Sequence, residues 1–411
     1  MKTRRLVVFI VLAFAYLLSQ FLRHANAAIA DSVSADLSLT AAQLGLMTSL
    51  FYVAFAAAQV PLGVALDHFS PRFVIAGLML ASTAGCLIFA SAHSLKTLAS
   101  GRTLIGLGLA GVLMGSFKIL GHWYPAKRFA TVSGVLIGLG ALGGLAAASP
   151  LVWFNQQYGW RAVFGTVAVV IAVSAACVAL FARDGPPEED VEHPTAARRS
   201  GSVRDVFADG RFWRLGPLNF FLCGMLMSFQ GLWAGPFLVD VHRMTPGGKG
   251  AYLSLLSAGV VVGYLVGGWL ADRLGIYRAV MGAGVLFVVA QVVLILSAFK
   301  FVPWLLGGAY FLFGFAGAFQ ILTVVQIGTL FPTHMTGRAV TAVNMMGFAG
   351  TAFLQWIMGV IIGSFGRTAA GAYPPGAYVT ALSLGAVATM LALVWYGTGR
   401  SLRKAHASVR A

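Results

Sequence analysis

The chain has 411 residues, 59% of them apolar and only 10% charged, with 50 Gly and 30 Phe. No water-soluble domain can hide that share of apolar side chain, so the composition excludes soluble folds and indicates a protein dissolved in lipid. The net charge of +16 is spread over many short segments, which excludes a nucleic-acid-binding face and suits the positive-inside rule.

A helix needs about 20 apolar residues to cross the hydrocarbon core. Twelve such runs can be placed, six in each half of the chain. They lie near 6–30, 41–66, 73–93, 97–121, 130–153 and 161–182, then near 213–239, 250–271, 277–299, 303–330, 339–364 and 377–398. The basic start, Met1 to Arg5, and the small residues Ala25 to Ala27 give the first run the outline of a cleaved leader. That run is long for a leader, and its removal would break the repeat described below, so it reads as a spanning helix. With its start in the cytoplasm, nineteen of the 28 Lys and Arg fall on cytoplasmic segments, six on external ones and three within helices. Such an excess puts both termini in the cytoplasm.

In the first run Tyr16, Gln20 and Arg23 are spaced four and three apart and share one face, with His24 alongside. A guanidinium fork suits carboxylate or phosphate, and Tyr and Gln can orient the remaining oxygens. The alternative for Arg23 is snorkelling to the external headgroups. The fourth run carries Arg102, Lys118 and His122. Sixteen residues separate Arg102 from Lys118, about 160° around a straight helix. Lys118 is therefore a cavity residue only if the Gly-rich stretch between them distorts, and otherwise a lysine at the cytoplasmic end. Gly134, Gly138, Gly140 and Gly144 crowd the fifth run, and Gly259, Gly263 and Gly267 recur in the eighth, with Ala54 and Ala58 in the second. Small residues at this spacing let helices approach closely, either as fixed packing or at a sliding interface.

Residues 183–212 hold Gly-Pro-Pro, an acidic triplet and paired Arg without an apolar period, and read as a flexible linker. Beyond it the polar positions are uncharged. Asn219, Cys223, Met227, Gln230 and Trp233 lie near one stripe of the seventh run, broken after Gly235-Pro236. Gln320 and Thr323 share a face of the tenth run, and Asn344, Thr351 and Gln355 one of the eleventh. In lipid such amides serve as hydrogen-bonding glue between helices or wrap the neutral part of a cargo.

The apolar runs contain no Asp or Glu, yet Arg23, Arg102 and Lys118 lie within them. A charge in hydrocarbon is costly unless water, a partner or a substrate meets it. With no carboxylate at hand, the natural counter-ion is a bound anion. The three cysteines, Cys86, Cys177 and Cys223, are isolated in apolar runs and suggest neither disulfide nor metal site. No phosphate loop, dinucleotide motif or metal-protease motif is present, so no cofactor is expected and the energy must come from a gradient.

The chain is a duplication. Gly63-Val-Ala-Leu-Asp67-His68-Phe-Ser70-Pro-Arg72 is echoed by Gly268-Trp-Leu-Ala-Asp272-Arg273-Leu-Gly275-Ile-Tyr-Arg278, with the Gly and the Asp each repeating at 205 residues. This resembles the Gly-x-x-x-Asp-Arg-x-Gly-x-x-Arg turn of the major facilitator superfamily. In the first copy His68 stands for the Arg, Ser70 for the Gly and Phe73 for a basic residue. Arg102-x-x-x-Gly106-x-Gly108 likewise matches the superfamily's fourth helix. In the fifth helix, the Gly-rich stretch resembles the exporters' motif but has Leu139 in place of its Pro.

The resemblance implies an all-α membrane protein of 12 transmembrane helices in two pseudo-symmetric six-helix bundles that alternate access to a central site. The expected organisation is a bundle over 1–182, a cytoplasmic linker over 183–212, a second bundle over 213–399 and a basic cytoplasmic tail over 400–411. Gly63, Asp67, Arg72, Gly268, Asp272, Arg273 and Arg278 are implied to gate, each Asp docking on a helix N-terminus of the opposite half. Arg23, Lys118 and Trp123-Tyr124-Pro125 are similar to organophosphate and organic-anion branches. Tyr16, Gln20, Arg23, His24, Arg102, Lys118, Gln230, Trp233, Gln320, Asn344 and Gln355 are the expected substrate contacts. The expected activity is carriage of a small organic anion across a bacterial inner membrane, by proton symport or anion exchange. His24 is the candidate titrating group. Drug or metabolite efflux and a transporter-like ligand sensor are the alternatives.

Overall fold

The computed structural model describes residues 2–185 and 203–399. Among them every regular element is helical. The tail over 400–411 and the central part of the linker lie outside the described residues.

The first half is built from α1 (Lys2–Leu37), α2 (Ala41–His68), α3 (Pro71–Ala90), α4 (Leu95–Leu109), α5 (Val112–Trp123), α6 (Ala126–Ala146) and α7 (Ser149–Phe181). Local chemistry sets the boundaries. Thr40 and Gln43 form a reciprocal capping box at the start of α2. Ser94 caps α4, and Pro71 opens α3, where its missing N–H costs nothing. The fourth run is split at Ala110-Gly111 into α4 and α5. Gly159, at φ +78° and ψ 161°, interrupts α7. Glycine adopts that left-handed backbone freely, and the break falls between the fifth and sixth apolar runs. The fifth run therefore comprises α6 and the stretch before Gly159, and the sixth is Trp160–Phe181.

The rest comprises α8 (Val203–Ala208), α9 (Phe212–Ser228), a π-helical turn (Phe229–Trp233), α10 (Ala234–Asp240), α11 (Pro246–Leu274), α12 (Ile276–Ser297), α13 (Pro303–Ala318), α14 (Gln320–Leu330), α15 (Thr333–Ser364) and α16 (Pro375–Gly397). Eleven stretches are long and apolar enough to cross a membrane, and a shorter apolar helix, Thr131–Ala146, makes a twelfth among the described residues. The chain is a multi-pass membrane protein.

The described residues form two compact units. One runs to Gly185 and includes Met244–Leu253; the other holds 203–243 and everything from Ser254 onward. The start of α11 thus belongs with the first unit and the remainder with the second.

Three expectations are corrected. The first helix extends beyond residue 30 to Leu37, so Asp31 and Asp36 are helical. Both ends of the linker are structured: Val203–Ala208 is a helix, and Arg211 reaches Asp209 at 2.6 Å and the Leu330 carbonyl at 2.5 Å. Finally, Gly259 and Gly263 do fixed packing inside one unit. A Cβ on Gly259 would stand 2.1 Å from the Phe311 carbonyl oxygen, and one on Gly263 would stand 2.4 Å from that of Phe315. These residues press α11 onto α13. Gly134 and Gly138 have nothing within 4 Å; in the fifth run it is Gly140 and Gly143 that are in close contact.

Candidate functional site

The polar face of α1 survives folding as a buried stripe. Tyr16, Gln20, Arg23 and His24 are each no more than 7% exposed. The stripe is seated by glycine. A Cβ on Gly140 would overlap the Tyr16 ring at 2.1 Å, and one on Gly143 would meet the Leu17 carbonyl oxygen at 2.1 Å. Only bare backbone at these two positions lets α6 lie against α1 and lets Tyr16 turn inward. The Arg23 guanidinium stands 4.8 Å from the centre of the Phe55 ring on α2, an aromatic face that stabilises a cation. Gln20 Oε1 and His24 Nδ1 are buried without a hydrogen-bond partner. Leaving such atoms unmet costs about 1–3 kcal/mol each, so the stripe has unused capacity for a polar ligand.

Arg102 is placed differently from the sequence expectation. It is 1% exposed, donates from Nη1 to the Leu22 carbonyl at 3.1 Å, and lies 5.4 Å from the Phe51 ring and 5.8 Å from that of Phe89. The side chain is enclosed by the helices of its own unit and braces α1 one residue before Arg23. Its motif partners explain the close fit. A Cβ on Gly106 would come within 2.2 Å of the Phe51 carbonyl oxygen, and one on Gly108 within 2.4 Å of Ser82 N.

Lys118 is also corrected. The break between α4 and α5 does not bring it to the stripe. It pairs with Asp67 at 3.1 Å and donates to the Leu66 carbonyl at the end of α2. Its counter-ion is therefore a carboxylate of its own chain, and Asp67, the expected gating acid, is engaged by that lysine.

The turn around Asp67 owes its shape to a residue outside the motif. Asp184, just past α7, accepts from the Ser70 hydroxyl and from the Arg72 backbone N–H at 3.0 Å, and its carboxylate lies 3.8 Å from Arg72 Nε. It caps α3 where Ser70 makes no cap of its own. His122 Nδ1 and the Asp184 carbonyl are 2.8 Å apart, and Trp123 donates to the Arg183 carbonyl at 2.6 Å. In the second copy the turn rests on a glycine. Gly275 takes φ +87°, which the motif's glycine supplies. Asp272 and Arg278 are exposed there, and Arg273 lies 4.4 Å from the Trp269 ring. Neither Gly63 nor Gly268 has a neighbour within 4 Å of its would-be Cβ.

In the second unit the polar positions divide between bonds from helix to helix and unmet amide groups. Asn219 donates to the Val343 carbonyl at 2.7 Å and accepts from Thr323 at 2.9 Å. Trp233 is 1% exposed and donates to the Gln355 carbonyl at 3.1 Å, which makes it a packing residue. Gln230 reaches Ser257 at 3.4 Å, with its Oε1 unmet. Gln355 is fully buried, and neither its amide nitrogen nor its oxygen has a partner. Gln320 is buried and Asn344 half-buried. The π turn escaped sequence reading: Ala234 N–H bonds to the Phe229 carbonyl five residues back, two residues before Pro236, which has no N–H to give.

Twelve apolar helices, an internal repeat and a buried polar stripe around a guanidinium define a polytopic membrane carrier. The profile of the Major Facilitator Superfamily matches residues 10–354 and 236–411. The chain belongs to that superfamily and is a transporter, not an enzyme. It is 22% identical to a probable hexose phosphate transport protein of Chlamydia muridarum, over 98% of this chain and 93% of that one. It is 24% identical to the hexuronate transporter of Bacillus subtilis, over 82% and 79%, and 25% identical to the probable sulfoacetate transporter SauU of Cupriavidus necator, over 70% of each. A nitrate/nitrite transporter of Picosynechococcus, NrtP, is 26% identical over 48% of this chain and only 41% of its own length. The fold matches a crystal structure of a bacterial homologue of the lysosomal transporter Spinster, with TM-score 0.78 at 19% identity over 99% of both chains. It also matches the nucleoside transporter NupG, with TM-score 0.77 at 14% identity over 96% and 99%.

Proposed function

We propose that this transporter carries a small organic anion, a carboxylate or phosphate ester, and that Arg23 is the residue that takes its charge. The observation that carries the reading is the buried stripe of Tyr16, Gln20, Arg23 and His24, a guanidinium set among polar groups inside a membrane-spanning helix. Relatives named for hexose phosphate, hexuronate and sulfoacetate add support, since all three cargoes are anions. In this reading Arg23 grips the anionic group through paired hydrogen bonds. Tyr16 and Gln20 orient its oxygens. Arg102 supports the grip from behind through Leu22. Transport runs by alternating access in a bacterial inner membrane with both termini in the cytoplasm, as the Lys and Arg distribution favours. It is driven by proton symport through His24 or by exchange for a second anion.

The test is uptake of radiolabelled glucose 6-phosphate, glucuronate and sulfoacetate into proteoliposomes. Arg23→Gln should abolish carriage of the accepted anion, and Arg23→Lys should weaken it. A hydrogen bond to a charged group is worth about 1.5–3 kcal/mol, so affinity should fall roughly 10- to 150-fold. Undiminished uptake by Arg23→Gln, or vigorous carriage of a cation instead, would defeat the assignment.

A further inference from the structure

Lys249 lies near the start of α11 and is 4% exposed. Its ammonium donates to the Ala28 carbonyl at 2.9 Å and is ion-paired with Asp31. Both acceptors belong to one turn of α1. His24, Ala28 and Asp31 are spaced four and three apart, so this turn continues the face that carries the polar stripe. Asp31 is eight residues beyond Arg23, about 12 Å along the helix. One position on, α11 packs tightly on α7: a Cβ on Gly250 would be 3.1 Å from Ser149 Cα and 3.4 Å from its Cβ.

The segment leading into this contact is held in one shape. Arg243 takes φ +54°, a left-handed conformation that is costly for a residue with a side chain. Thr245 accepts from the backbone N–H of Gly248 at 3.3 Å, and its carbonyl accepts from that of Lys249 at 2.9 Å. The stretch Met244–Leu253 consequently groups with the first unit, although the rest of α11 belongs to the second. A cation this deeply buried is matched by one carboxylate and one carbonyl, both on α1, so its burial and its attachment to α1 are the same event.

We propose that Lys249 and Asp31 form a latch that fastens the start of α11 over the α1 face leading to Arg23, and that the latch opens during the transport cycle. Opening parts Lys249 from Asp31 and Gly250 from Ser149 together. It uncovers the turn at Ala28 on the side of Arg23 nearer Leu37. Nothing in this depends on which anion is carried, so the latch and the substrate assignment fail separately.

The test uses the full-length chain with its three cysteines replaced by alanine. A Ser149→Cys/Gly250→Cys pair has a Cβ separation suited to a disulfide and should cross-link under mild oxidant, read as a mobility shift on a gel. Adding Lys249→Met or Asp31→Asn should slow cross-linking about tenfold, which corresponds to about 1.4 kcal/mol in the closed–open balance. Lys249→Arg, which keeps the charge, should cross-link at close to the parent rate and shows that the background folds. In a separate single-cysteine chain, Ala28→Cys should react about tenfold faster with a membrane-impermeant maleimide once Lys249→Met is added. Failure of the pair to cross-link, equal rates with and without Lys249, or an unchanged labelling rate would each overturn the latch.

Discussion

Arg23 and Arg102 show how differently one residue type is used inside a membrane. Each lies near aromatic rings. Arg102 directs a donor at a backbone carbonyl and is enclosed by α2, α3 and α4, so its charge serves the framework. Arg23 shares its face with Tyr16, Gln20 and His24, whose acceptor atoms include unmet ones, and the proposed function gives its charge to the cargo. The glycine behind the stripe is as necessary as the arginine within it. Gly140→Ala places a methyl group where the Tyr16 ring lies, and overpacking of this kind costs about 1–3 kcal/mol. Binding of the anion should weaken while the protein stays folded, and Gly134→Ala or Gly138→Ala, in open surroundings, should leave it unchanged. Calorimetric titration of the three purified variants with the accepted anion distinguishes them.

Among the helices, drift at one motif position is tolerated when another element takes over its task. In the second copy of the turn Gly275 needs its positive φ, so glycine is retained. In the first copy Ser70 has φ −57°, which any residue can adopt. There the carboxylate of Asp184, 112 residues from Arg72, supplies the cap. A different dependence holds the turn after α10. His242 packs between the Phe237 and Phe301 rings, 5.1 and 5.2 Å from their centres, with Nε2 3.3 Å from the Ser297 hydroxyl. Burial lowers its pKa from 6.5 to about 4. The unfolded chain binds this proton between those two values and the folded chain does not, so stability falls as pH drops from 6.5 towards 4. Melting temperatures over that range should decline less for His242→Gln than for the parent. Equal slopes would show that His242 does not contribute to the acid sensitivity.

At the scale of the molecule, the twelve spans were legible because lipid demands long apolar runs, and the duplication because a motif recurs at half the chain length. The stripe on α1 was legible for the same periodic reason. Three things were not. Lys118 and Asp67 are 51 residues apart, and spacing along one helix carries no record of what a neighbouring helix offers. The π turn is hidden because a single added residue leaves composition unchanged while shifting every later side chain by about 100°. The Lys249–Asp31 pair spans 218 positions and joins two helices, and no local pattern distinguishes either residue.

The allocation of Met244–Leu253 to the first unit has a consequence for dividing the polypeptide. A cut in the linker looks natural from the repeat, yet it strips the amino-terminal fragment of ten residues that complete its packing and of the ammonium that covers Asp31. That fragment made alone should be short-lived, whereas co-expression with its carboxy-terminal counterpart should restore it. Two nominal halves of this carrier should therefore not be self-sufficient modules, and a chimera exchanging them between relatives should keep its fold only if the first turns of α11 move with the partner they were matched to.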